Sequence, residues 1–155
     1  MQLLTFTVAG QTYAIESRRV IEVLPLVPAR PIPHVPDYVR GIFTYRGRLV
    51  PLVDLAVRLA MGRLAERLST RVIVVQFTMA GRETQQLGLV AENVISICSA
   101  EDAEASLPAL DFRDAPFLGR ILRLGGRTIQ LLEVESILPA DVSAGLFPPN
   151  QTVTS

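Results

Sequence analysis

The chain repeats itself, and that constrains it more than any other feature. Phe6-Thr7-Val8-Ala9-Gly10 recurs as Phe77-Thr78-Met79-Ala80-Gly81, an offset of 71. Ala14-Ile15 and Val20-Ile21-Glu22-Val23 recur as Gly88-Leu89 and Val94-Ile95-Ser96-Ile97, an offset of 74. Ile42-Phe43, Gly47-Arg48, Val50 and Leu52-Val53-Asp54 recur as Ile121-Leu122, Gly126-Arg127, Ile129 and Leu131-Leu132-Glu133, an offset of 79. Apolar strands resemble one another by chance, but here the identities fall in register and the blocks keep their order. The repeat predicts two similar lobes, residues 3–68 and 71–138, in a single domain spanning residues 1–155, followed by a C-terminal tail over 139–155 that is loosely held from Asp141 on, with Leu146 and Phe147 as candidate docking residues.

Each copy reads as β-structure. Leu4, Phe6 and Val8 alternate with Thr5 and Thr7, the period of a strand with one buried face. Gly10-Gln11 turns the chain into a returning strand at Tyr13–Ile15, and Val20–Leu24 forms another. Ile42–Tyr45 and Leu49–Val53 flank Arg46-Gly47 as a hairpin. In the second copy the strands are Val72–Met79, Leu87–Val90, Val94–Cys98, Ile121–Leu124 and Thr128–Leu132. Short strands at this spacing point to small barrels or a sandwich. The fold class expected is mainly β: two similar small five-stranded β-barrels, SH3-like or OB-like, packed together with short helical connectors. Asp54–Leu68 reads as a short helix plus connector. Glu133–Leu138 reads as a closing helical turn stopped by Pro139.

Pro25, Pro28, Pro31, Pro33 and Pro36 crowd one segment, read as a stiff connector that crosses a barrel without pairing. The second copy has the acidic stretch Glu101–Asp114 there instead. The formal net charge of zero hides an asymmetry, because residues 1–71 carry +5 and residues 72–155 carry −5. Halves that stay segregated would favour head-to-tail contacts with complementary partners. A zero net charge argues against general nucleic-acid binding. Single-strand binding by a small barrel is the alternative reading, and it would need a basic groove and stacked aromatics. No apolar run is long enough for a membrane helix, so no direct membrane insertion is expected. No secretion signal is visible, and the single Cys98 cannot form an internal disulfide, which together suggest a cytoplasmic protein.

Catalytic and metal chemistry find no foothold. His34 is the only histidine and has no neighbour at ligand spacing. Cys98 ends an apolar strand and reads as a small core residue. There is no phosphate loop and no nucleophile elbow. Asp54 and Glu133 occupy equivalent positions where a strand enters a helix, so helix N-capping or a preference for an anion near the helix start explains both. No enzyme activity, cofactor or metal is expected.

One difference between the copies stands out. The second hairpin tip is Gly125-Gly126, whereas the first is Arg46-Gly47. Arg disfavours the positive φ that such turns need, so turn propensity does not explain Arg46. Glu22 and Arg46 are both replaced in the second copy, by Ser96 and Gly125. Their joint loss predicts a charged pair in the first.

Tyr13-Ala14-Ile15, Val20-x-Glu22-Val23, Pro31-x-Pro33, Pro36-x-Tyr38-Val39-x-Gly41-Ile42 and Arg46-Gly47-x-x-x-Pro51-Leu52-Val53-Asp54-Leu55 resemble the CheW family of chemotaxis coupling proteins. Leu87-Gly88-Leu89-Val90 and Phe117-Leu118-Gly119 support the likeness, which covers residues 3 to about 138. The family commonly has Asn where Thr44 stands, and a Val-Val-Asp triplet where Val90-Ala91-Glu92 stands. The resemblance implies a non-catalytic adaptor recruited to membrane-bound receptor arrays. Its partners would be the regulatory domain of a CheA-type histidine kinase and the cytoplasmic tip of methyl-accepting chemoreceptors. It implies Glu22, Val23, Gly41, Thr44, Arg46, Gly47 and Asp54 as partner-binding residues. Glu22–Val27 and Leu68–Arg71 look like the Wsp-type subgroup, which implies surface sensing and control of cyclic-di-GMP.

Overall fold

The first strand, β1 (Gln2–Val8), and the second, β2 (Gln11–Glu16), form a hairpin about the Ala9-Gly10 turn. A 3-10 turn over Ser17–Arg19 leads into β3 (Val20–Pro25). After the proline segment come β4 (Val39–Tyr45), β5 (Arg48–Asp54) and the one-turn helix α1 (Leu55–Arg58). The second half supplies β6 (Thr70–Thr78), β7 (Thr84–Ser99), β8 (Ala105–Leu107), β9 (Leu118–Leu124) and β10 (Arg127–Leu132). A 3-10 turn at Val134–Ser136 and helix α2 (Ala140–Leu146) follow. This computed structural model describes residues 1–62, 64, 66–79 and 83–148, except the side chain of Ile95. The Ala80-Gly81 end of the first repeat block and the tail beyond residue 148 lie outside the described residues.

The pairing exchanges the two N-terminal hairpins. β3 pairs antiparallel with β6, and β5 pairs parallel with β7 at Leu52↔Gly88. In the equivalent places β7 pairs antiparallel with β1, and β10 pairs parallel with β2 at Leu131↔Ala14. One five-stranded unit is thus β3, β4, β5, β6 and the first half of β7, all within residues 20–92. The other is the second half of β7 with β1, β2, β9 and β10, edged by the short β8. The halves 3–68 and 71–138 are therefore equivalent copies that do not each close on themselves: each lends its first hairpin to the other.

The expected mainly β architecture is present, but neither unit is a closed barrel. Among the described residues β3 does not pair with β4, nor β7 with β9. The two strands expected at Leu87–Val90 and Val94–Cys98 are one continuous β7. Residues 91–93 contain no Gly or Pro to break it, and Asn93 takes a positive φ of 45° within the strand. Glu92 sits at the joint, opposite Thr70 of β6 and Thr7 of β1.

Burial follows this arrangement. Val72–Val75 of β6 are all fully buried, because both faces of the strand are covered. The main core, which includes Phe6, Phe43, Phe77, Leu89 and Ile137, runs through both units. A smaller cluster of Leu3, Ala14, Leu122, Ile129 and Leu131 fills the second unit, with Cys98 packed against it.

Three connector expectations are corrected. The proline segment does pair: Arg30 and Ile42 exchange backbone hydrogen bonds of 2.8 and 2.9 Å. That bridge occupies the place β8 takes beside β9, with Leu107 opposite Ile121. The prolines, which lack donors, limit it to a single bridge. Pro139 does not end the closing turn but opens α2, where its carbonyl accepts from Ser143 N at 2.9 Å. The segment from Asp141 to Phe147 is docked rather than loose, because Phe147 is buried and stacks on Phe77 with centroids 5.5 Å apart.

Candidate functional site

The β4–β5 hairpin tip carries Arg46 at φ 49° and Gly47 at φ 79°, nearly the conformation of Gly125 (59°) and Gly126 (77°) in the second copy. A non-glycine residue in this region costs roughly 1–2 kcal/mol. Arg46 Nη2 donates to Glu22 Oε1 at 2.7 Å, which bears out the expected pair. The Tyr45 hydroxyl donates to the same oxygen at 2.6 Å, and this hydrogen bond raises the hydroxyl's pKa above its ordinary value. The Arg46 guanidinium lies 5.2 Å from the centroid of the Tyr45 ring. Glu22 belongs to β3 and the other two to the β4–β5 hairpin, so the cluster spans the seam where those strands do not pair.

The seam cluster presents chemistry to solvent. The Arg46 side chain is 71% exposed and Glu22 36%. Thr44 and Leu49 pair across the hairpin on the outward face, with Leu49 72% exposed, and Val23 is also exposed. Five of the expected partner-binding residues, Glu22, Val23, Thr44, Arg46 and Gly47, thus lie on the exposed faces of β3 and the hairpin end. Leu49 was missed, although its place two residues past the tip, in outward register, is the signal that would have found it.

The other two are corrected. Asp54 is buried, and both its oxygens are occupied inside the fold. Oδ1 caps α1, accepting from Ala56 N at 3.0 Å and Val57 N at 3.3 Å. Oδ2 accepts from Arg40 Nε at 2.9 Å and Nη2 at 2.7 Å, and Arg40 also reaches the Leu64 carbonyl. Gly41 is buried against the proline segment at φ 142°. Neither is exposed at the surface. The expected cap at Glu133 is also absent: its side chain caps nothing, and the residue equivalent to Arg40 is Gly119, packed against the Glu133 carboxylate.

A second exposed surface lies at the other end of the strand order. β8 is an edge strand with all three residues exposed. Leu107 (61% exposed) stands on it, and Leu110 (42%) and Phe112 (59%) follow. They are set in the acidic stretch 101–114, whose charge concealed them in the sequence. Apolar side chains exposed together mark interaction surfaces. The charge asymmetry survives the hairpin exchange: residues 20–92 carry nine Arg and six acidic residues, and the remainder six and nine.

The remaining candidates are quiet. His34 is exposed, and no group of His, Cys, Asp or Glu among the described residues could hold a metal. Burial pushes the Cys98 thiol up, away from reactivity. Phe6, Phe43, Phe77, Phe117, Phe147, Tyr13 and Tyr45 are buried, which removes the stacking platform that single-stranded nucleic acid needs. No helix among the described residues is long and apolar enough to cross a membrane.

The chain as a whole is similar to known proteins. A family model, the CheW-like domain, matches residues 2–142. A chemotaxis protein CheW of Rhizobium meliloti is 32% identical over 143 residues, covering 90% of this chain and 88% of the relative. That of Klebsiella aerogenes is 28% identical, covering 92% and 84%. The crystal structure of a scaffolding protein, CheW of Thermoanaerobacter tengcongensis, superposes with a TM-score of 0.74 at 23% identity, over 91% of this chain and 89% of that one.

Proposed function

Because the chain belongs to the CheW family, we propose that it is a non-catalytic adaptor coupling chemoreceptors to a CheA-type histidine kinase in bacterial signal transduction. The observation that carries this reading is the pair of exposed surfaces at opposite ends of the strand order: Glu22–Arg46 with Leu49, and Leu107–Phe112. An adaptor needs two faces, and these differ in charge. The first carries the Arg46–Glu22 pair on the unit with more Arg than acidic residues; the second is acidic and apolar. The receptor tip and the regulatory domain of the kinase are the partners, and their membrane-bound arrays are the place of work. The likeness of residues 22–27 and 68–71 to Wsp-type couplers supports an output to a diguanylate cyclase. Cellular cyclic-di-GMP that is unchanged on deleting the gene would remove that output.

Paired substitutions test the two faces. Arg46→Ala is expected to shift stability by no more than about 1 kcal/mol, since the ion pair is exposed. It should weaken one partner roughly five- to thirtyfold. Phe112→Ala should leave stability within about 0.5 kcal/mol and weaken the other partner by a similar factor. Titration of each folded variant against purified receptor fragment and kinase regulatory domain reads both. Wild-type affinities throughout, or loss of the same partner by both variants, would refute the two-faced adaptor.

A further inference from the structure

A cleft of ≈ 960 Å³ opens beside α1, the end of β6, the segment before β9 and the start of α2. Arg58, the last residue of α1, lines it. Its guanidinium stacks on Tyr38 and Phe117, 4.9 and 4.4 Å from the ring centroids, and its Nε donates to the Ile137 carbonyl at 2.6 Å. Arg18, Arg19, Arg40 and Arg46 each have a carboxylate partner, whereas no described carboxylate lies within ion-pair reach of Arg58. The side chain is half-buried, and burial lowers its pKa, as expected for a cation drawn out of water without a counter-ion. Arg113 adds a second cation to the lining, Thr78 and Ser136 add polar groups, and Phe77, Leu138 and Pro139 add apolar wall.

The acidic residues of the cleft select the ligand. Glu135 is paired with Arg19, while Asp114 remains a negative charge in the lining. That charge repels a dianionic phosphate more than a monoanion. We propose that the cleft is a binding site for a single carboxylate on an apolar stem, an acidic side chain flanked by apolar residues in a partner protein. Arg58 is its counter-ion and Arg113 assists. A carboxylate there accepts charge-assisted hydrogen bonds from the free Nη groups while its neighbours cover the apolar wall. The site is distinct from the Arg46 surface, borders the Phe112 surface through Arg113 and Asp114, and does not depend on the adaptor reading.

The test is a titration of the full chain, followed by NMR, with the peptide acetyl-Leu-Glu-Leu-amide and its Gln counterpart. The Glu peptide should shift the Thr78 and Ser136 amides saturably and bind at least about fivefold more tightly than the Gln peptide. Inorganic phosphate should compete poorly. Arg58→Gln should erase the Glu preference, and Arg113→Gln should reduce it. Equal binding of the two peptides to the wild-type chain, or shifts away from the cleft, would overturn the proposal. Those wild-type results and Arg113→Gln decide it even if Arg58→Gln fails to fold.

Discussion

Asp54→Ala is expected to destabilise the fold by about 3–5 kcal/mol, the usual cost of removing one member of a buried ion pair. The Asp54 side chain is 1% exposed and that of Arg40 7%, so the substitution strands a guanidinium out of water. It also uncaps α1, worth about 1 kcal/mol more. Urea unfolding measures the sum. The double variant Arg40→Met/Asp54→Asn keeps a capping oxygen and removes both charges, and it should recover most of the loss. A single variant within about 1 kcal/mol of wild type would mean that the pair is energetically idle.

Gly41→Ala comes next, at about 3 kcal/mol or more. A Cβ there would overlap the Arg30 carbonyl oxygen and lie 2.6 Å from its carbon, both backbone atoms. The φ of 142° adds strain to any residue with a side chain. Relief requires the proline segment to lift off β4, breaking both Arg30–Ile42 hydrogen bonds. Gly47→Ala, with open space around its Cβ, should cost only the price of its positive φ, roughly 1 kcal/mol. Thermal melts of the two variants compare them, and equal melting temperatures would refute the backbone clash.

Much of this was legible in the residues. Alternation and Gly-containing tips marked most strands, because the period of two and left-handed turns are local requirements. The Glu22–Arg46 pair was legible because both charges vanish together in the second copy. The hairpin exchange was not: repetition says which segments are equivalent, but two equivalent strands offer the same pairing edge, and only tertiary packing chooses between them. Asp54 and Gly41 carry motif positions whose work is internal, and a motif does not distinguish a contact with a partner from one with Arg40 or Arg30. Phe112 was hidden because a lone aromatic among acids has no period to announce its exposure. Tail docking rests on Phe147 meeting Phe77, a contact between residues 70 positions apart.

The exchanged hairpins also set an order of events as the chain leaves the ribosome. Every strand of the unit within residues 20–92 is available once residue 92 has emerged. The β1–β2 hairpin, made before that unit, has no strand partner until Glu92–Ser99 and Gln130–Leu131 arrive. A hairpin synthesised before its partners is therefore among the last elements to find its place, and its apolar face, Leu4, Phe6 and Val8, must wait exposed or be shielded. Stalled nascent chains ending shortly after residue 92 should protect the β4–β6 amides from hydrogen exchange while leaving β1–β2 unprotected. Early protection of β1–β2 would instead mean that the hairpin first pairs within its own copy and is handed over later.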